Sequence, residues 1–297
     1  MASAHQEPTP AAGAAESREI IVGPAILFTP ANRRDFIPKA AARADMVILD
    51  LEDGAGRADR EEARANIAAS GLDPKTTIVR VGGPQLDAFA ADCEFVRQTP
   101  FTTVMVPKLR GEIPPELAGH GLSIIAQIET PEAVLAAGAL AKHPDVVGMF
   151  WGAEDLVHLL GGTHSRLQPD EPGAGRYRDQ IRLARSMVHM QAAAAGKFLI
   201  DAVHADFHDE EGMYREALDA ARSGIAASAC IHPAQVAAVR KAYRPEPQQL
   251  DWAQRVVARS EEFPGAFQLD GEMVDAPIIS QARRILGRAK AAEAVGQ

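Results

Sequence analysis

The chain has 297 residues, 46% of them apolar, with a net charge of −9 and only two cysteines. That acidic balance excludes nucleic acid as the main partner, because phosphate binding needs a basic stripe. Cys93 and Cys230 share no metal-like spacing, so neither a disulfide framework nor a cysteine metal site is expected, a pattern that suits a reducing cytoplasm; no apolar run reaches the roughly 18 residues of a membrane span.

Residues 1–20 are rich in Ala, Pro, Glu and Ser and lack a basic segment followed by an apolar one. They predict a disordered tail rather than a secretory signal. Eight short apolar runs follow: 25-AILFTP-30, 45-DMVILDLED-53, 76-TTIVRV-81, 102-TTVMVPK-108, 123-SIIAQIET-130, 146-VVGMFWGAED-155, 197-KFLIDAV-203 and 227-ASACIHP-233. Near-continuous Val, Ile, Leu, Met and Phe is the pattern of parallel strands covered on both faces. The stretches between them are long enough for helices. Residues 59–70 open on Asp59 as an N-cap with acids in the first turn, and 131–143 open on Pro131 at N1. Residues 178–196 and 211–224 stop at Gly196 and Gly224, each just before the next run. Eight strand–helix units predict an α/β fold, a (β/α)8 TIM barrel over residues 21–245. The Gly/Pro-rich 161–176 segment would lie on its catalytic face as a lid or binding loop.

Pro245-Glu246-Pro247 breaks the chain. Residues 246–297 read as a C-terminal helical extension with a helix over 248–262, a Gly-containing turn over 264–274 and a helix starting near Pro277. It is too short for a large core of its own and is expected to pack as a lid on a barrel, its own or a neighbour's.

Barrel active sites sit at the C-terminal ends of the strands. Those ends carry Asp50, Glu52, Asp53, Arg80, Lys108, Glu129, Asp155 and His232. Glu129 and Asp155 end consecutive runs, five and six. Two carboxylates that close repel unless a cation lies between them, and a hard divalent ion such as Mg²⁺ or Mn²⁺ fits; the other reading is a pair of rim salt bridges. Glu52 and Asp53 either support such a metal from outside its ligand shell or cap a helix and pair with Lys or Arg. Arg80, inside a β run, either grips a substrate carboxylate or forms a buried ion pair with Glu52 or Asp53. Lys108 is expected to be held protonated by its acidic neighbours, which disfavours a Schiff base. His232 is either a general base or bonded to backbone. Asp275, beside a helix start in the extension, is an N-cap or an acid/base group brought to a barrel mouth.

In order, LFTPANR, VILDLEDG, TIVRV, TTVMVPK, IAQIET, WGAEDL, LIDAV, CIHPAQ and GEMVDAP resemble the citrate lyase β-subunit-like family, within the Mg²⁺-dependent malyl-CoA and citramalyl-CoA lyases of the HpcH/HpaI aldolase superfamily. The resemblance spans residues 21–290. It implies Mg²⁺ held by Glu129 and Asp155, with Mn²⁺ able to replace it. It implies that Arg80 binds a 2-oxo acid and that an acyl-CoA thioester runs past Phe28, Arg33, Lys39, Ile231 and His232. It assigns acid/base catalysis to Asp275, delivered with the lid, often to a neighbouring subunit of a homotrimer. It implies carbon–carbon lyase or condensing activity, with thioester hydrolysis, or work beside an acyl carrier protein, as alternatives. Many members carry Gly-Lys where this chain has Ser228-Ala229, so the resemblance does not carry over a phosphate or pantetheine contact at that lysine.

Overall fold

The computed structural model describes residues 20–53, 60–263 and 265–295. Eight parallel strands close a barrel in sequence order: β1 (Ala25–Pro30), β2 (Met46–Asp50), β3 (Thr77–Arg80), β4 (Thr103–Val106), β5 (Ser123–Ile128), β6 (Val146–Trp151), β7 (Phe198–Asp201) and β8 (Ala227–Cys230). β8 returns to β1 through Ala25↔Ser228. Every predicted run contains a strand, so the TIM-barrel expectation holds.

Alternation sends every second residue inward. Ile26, Met46, Ile48, Ile78, Met105, Ile125, Phe150, Phe198, Ile200, Ala227 and Ala229 form one buried cluster inside the barrel. The intervening positions, such as Val47, Leu49, Val79, Val104 and Ile124, pack in a second cluster under the helices. Ala229 is therefore an interior position.

The outer layer comprises α1 (Phe36–Ala41), α2 (Arg60–Ala68), α3 (Phe89–Arg97), α4 (Pro131–Lys142), α5 (Ala153–Leu159), α6 (Asp179–Ala194), α7 (Glu210–Ser223) and α8 (Gln235–Tyr243). Thr130 caps α4 by accepting from the Ala133 N–H at 3.0 Å, with Pro131 at N1. Gly224 ends α7 at φ 89, a left-handed stop that glycine adopts without strain. Arg60 and Arg64 both bond the fully buried Asp92, which also accepts from Gly82 N–H, so α2, α3 and the turn after β3 are locked together. Asp59, expected as the cap of α2, lies outside the described residues.

Four expectations are corrected. No helix joins β4 to β5: residues 107–122 run as turns, and the one turn in which Leu117 and Ala118 bond back to Pro114 O stops at Gly119 and Gly121, both at positive φ. Glu52, Asp53 and Lys108 stand beyond their strands, since β2 stops at Asp50 and β4 at Val106. Asp155 is not on a strand end but in the first turn of α5. The 264–274 stretch holds an antiparallel hairpin, β9 (Phe267–Leu269) with β10 (Glu272–Val274), turning at Asp270-Gly271, both at positive φ.

That hairpin joins α9 (Pro247–Glu262) to α10 (Ala276–Val295). Ala253, Val256, Val274, Ala282 and Ile285 give the extension a small core of its own. Arg288 Nη1 donates to Ala221 O at 3.0 Å and ties α10 to α7. Among the described residues no helix is long and apolar enough to cross a membrane.

Gly148 admits the Phe198 ring into the barrel, for a Cβ there would lie 2.1 Å from that ring. Gly148→Ala is expected to cost about 1–3 kcal/mol through overpacking, read as a lower guanidinium midpoint; an unchanged midpoint would mean that the barrel interior is loosely filled.

Candidate functional site

The same alternation that fills the barrel places Phe28, Asp50, Arg80, Gln127 and Phe150 above its apolar floor. With Glu129, Gly152, Glu154, Asp155, Val203 and Ile231 they line a cavity of about 290 Å³ at the C-terminal mouth. Sequence reasoning places Arg80, Glu129, Asp155, Phe28 and Ile231 here, and the structure brings all five together.

Glu129 follows β5 directly and is 1% exposed. Its Oε1 accepts from the Lys108 N–H at 2.8 Å, and its Oε2 accepts from Gln127 Nε2. Lys108 sits at φ 54, a conformation uncommon outside glycine. Gly152 lets β6 approach, since a Cβ there would meet Glu129 Oε2 at 2.8 Å. Asp155 joins Glu129 in the cavity lining, and an acid in the first turn of a helix suits the helix dipole.

Burial, then the Asp155 charge, then the Glu52 charge raise the Glu129 pKa well above the ordinary carboxylate range, against the two hydrogen bonds. A proton or a cation relieves that repulsion. Among the described residues no group of three or more His, Cys, Asp or Glu side chains is placed to hold a metal. Two carboxylates lining an open cavity fit a hard divalent ion that takes its other ligands from water and substrate.

Arg80 forms the buried ion pair of its second reading, with Glu52, and adds Asp50 as a partner. Its Nε and Nη2 donate to Asp50 Oδ1 and Oδ2 at 2.7 Å each, and its Nη1 lies 3.0 Å from Glu52 Oε2. Of the two partners the sequence offered, Glu52 or Asp53, the pair is with Glu52. Burial works to lower the Arg80 pKa, but the Asp50 charge and hydrogen bonds, then Glu52, outweigh it and keep the group charged. Nε and Nη2 donate to Asp50 while Nη1 stands at ion-pair distance from Glu52, and the residue lines the cavity. The Phe28 ring lies 4.8 Å beneath this guanidinium and packs edge-on to Phe150.

Lys108 Nζ reaches Glu52 at 2.9 Å and Asp53 at 3.5 Å. Burial opposes its charge, but Glu52, Asp155 and Asp53 reverse that and raise its pKa, so it is held protonated as expected. Burial raises the Glu52 pKa, opposed by Arg80 and Lys108. Glu52 and Asp53 thus pair with cations at the rim.

The remaining residues lie apart. Arg33 and Lys39 cluster around Asp35 and Phe36 on the surface, Arg33 4.1 Å over the ring and Lys39 3.3 Å from the carboxylate. The His232 ring stacks on Phe207 at 4.8 Å, and its Nδ1 accepts from the Ala234 N–H at 3.2 Å, the backbone bond foreseen for it. Asp275 is exposed and absent from the cavity lining; its carbonyl accepts from Ile279 N–H at 3.0 Å at the start of α10. Sequence reasoning missed Asp50 as the Arg80 partner, Gln127 as the Glu129 partner, and Glu154. For Asp50 the signal was there, because the last residues of adjacent strands face each other in register.

Residues 25–233 match the model of the HpcH/HpaI aldolase/citrate lyase family, and residues 176–292 match that of a carbon–carbon bond lyase of the TIM-barrel fold. A citrate lyase subunit beta-like protein of Mycobacterium tuberculosis is 44% identical over 90% of this chain and 96% of its own length. The mitochondrial citramalyl-CoA lyase of Rattus norvegicus is 30% identical over 88% of this chain and 84% of its own. A crystal structure of protein CitE from Mycobacterium tuberculosis in complex with magnesium, acetoacetate and coenzyme A is similar at TM-score 0.82 and 43% identity, covering 91% of this chain and 99% of that one.

The raised Glu129 pKa has a sign that can be tested without any ligand. The native state binds this proton more tightly than the unfolded chain, so its contribution to stability is present below the ordinary value near 4.5 and is lost as pH rises through the raised one. In EDTA, chemical denaturation from about pH 5 to about pH 8 should show stability falling with a shallower slope in Glu129→Gln. Equal slopes would place the titration elsewhere.

Proposed function

The chain belongs to the HpcH/HpaI aldolase/citrate lyase family, and on that premise we propose that it is a Mg²⁺-dependent lyase for 3-hydroxyacyl-CoA thioesters. It would interconvert a substrate of citramalyl-CoA or malyl-CoA type with acetyl-CoA and a 2-oxo acid, pyruvate or glyoxylate. The observation that carries this reading is the mutual repulsion of the buried Glu129 and the half-buried Asp155 beside a cavity-lining arginine. A cation suits the pair and an oxo acid carboxylate suits the arginine.

Glu129 and Asp155 would hold the ion, with Mn²⁺ as a substitute for Mg²⁺. Bound there, the ion would supply positive charge to the substrate hydroxyl oxygen, which must give its proton to solvent before the carbon–carbon bond breaks, and in the condensation direction to the same oxygen as it gains negative charge when that bond forms. Arg80 is already charged and immobilised by Asp50 and Glu52, so its remaining donors would meet the 2-oxo acid carboxylate without reorganisation. Glu52 and Asp53 would act at one remove, by orienting Arg80 and Lys108. Phe28 and Ile231 would border the acyl end of the thioester. Arg33 and Lys39, exposed on the first βα loop and α1, and His232 beyond β8 would meet the CoA portion.

Cleavage leaves the acetyl-CoA carbon as an enolate that needs a proton. We assign that transfer to the Asp275 carboxyl; in the condensation direction Asp275 removes the same proton. Since Asp275 lies outside the cavity of its own chain, it would serve a neighbouring subunit, with a homotrimer as the assembly. The extension closing over that neighbour would exclude water from the enolate.

The purified protein is to be incubated with acetyl-CoA and pyruvate, glyoxylate or oxaloacetate, with Mg²⁺ or EDTA, and the products read by mass spectrometry. A Mg²⁺-dependent hydroxyacyl-CoA is expected. Free CoA with an intact hydroxy acid would mean hydrolysis instead, and no product from any pair would contradict the reading. Asp275→Asn and Glu129→Gln should each lose most activity alone and regain part of it when co-assembled. Full activity of Asp275→Asn by itself would end its acid/base assignment.

A further inference from the structure

Asp155 stands in a helix of seven residues whose start at Gly152 has no side-chain cap. A helix that short does not hold itself in water, so the orientation of its first turn is set from outside. The neighbouring Glu154 supplies the tie: its Oε1 accepts from Ser165 Oγ at 2.7 Å and from Arg166 Nη1 at 2.9 Å. Arg166 is itself fixed on every side. Its Nε and Nη2 bond Glu216 of α7 at 2.6 and 2.8 Å. Nη2 also donates to Tyr177 Oη at 2.7 Å and to Val203 O at 3.1 Å. Its guanidinium lies 4.3 Å over the Tyr177 ring, and only 12% of the side chain is exposed. The segment carrying it closes on itself through Leu167 N–H to Arg176 O and Arg178 N–H to Ser165 O. Glu154 and Val203 line the cavity and Arg166 does not.

We propose that Arg166 is a positioning residue for Asp155. One guanidinium joins the first turn of α5, the backbone beyond β7 and helix α7, and so sets the angle at which Asp155 meets Glu129. The Gly/Pro-rich segment after β6 is then a strap that shapes the cation site from behind. This rests on the reading of Asp155 as a metal ligand given above.

A purely structural clamp makes a different prediction, and the sign separates the two. Removing a positive charge from behind two carboxylates would, by Coulomb's law alone, tighten cation binding. Loss of orientation weakens it.

The test is titration of the full chain with Mn²⁺, following the electron paramagnetic resonance signal of the free ion, with melting temperature measured alongside. Arg166→Met is expected to weaken Mn²⁺ binding roughly ten-fold, as loss of an outer partner of a ligand does. Arg166→Lys keeps the charge without the fork, and Ser165→Ala removes one bond to Glu154; both should weaken binding by less, in the same direction. If Arg166→Met does not fold, these two milder variants carry the test. Wild-type or tighter Mn²⁺ binding in the folded variants, with Asp155→Asn blind to Mn²⁺, overturns the inference and leaves the metal site standing. Wild-type binding by Asp155→Asn overturns the metal site, and this inference with it.

Discussion

A carboxylate that is 1% exposed cannot carry its charge beside two other carboxylates unless positive charge surrounds them, and the mouth of this barrel is built around that constraint. Arg80 and Lys108 pair with Asp50, Glu52 and Asp53 on one side. On the other side Glu129 is met by an amide N–H and a glutamine, both neutral donors, and by the repelling Asp155. The imbalance falls at the cavity, where a divalent ion would complete it. Local oddities follow from the same demand: the left-handed backbone at Lys108 and the glycine at 152 both give space or a donor to Glu129.

The barrel was legible because buried parallel strands are continuous apolar runs, and every such run in the chain became a strand. The helices were less so. Counting residues between runs suggested a helix after β4, yet the single turn that starts at Pro114 ends at Gly119 and Gly121, both in the left-handed region. The WGAED run read as one strand, but β6 stops at Trp151 and the two acids belong to a helix, since an apolar run does not mark where a strand turns over. At the site, residue types were readable and partners only in part: the Arg80–Glu52 pair and the acids around Lys108 were legible, whereas Gln127 beside Glu129 was not. Arg80 was visibly in need of an anion, whereas its choice of Asp50 over Asp53 depends on the register of β2 against β3. Arg166 and Glu154 gave no local signal, because their meeting depends on the path of a long loop.

The extension has its own small core and, in the bonds described, only a light tie to the barrel through Arg288. That construction suits a part that acts on something other than the barrel it is attached to. Asp275, at the junction of β10 and α10, is exposed on this extension.

The most direct measurement is a crystal structure of the protein grown with Mg²⁺ and pyruvate. The account predicts one ion bound by both Glu129 and Asp155, with the pyruvate carboxylate on Arg80 and the Arg80–Asp50 pair intact. An ion bound elsewhere, or an Asp155 carboxylate turned away from an ion held by Glu129, would contradict it.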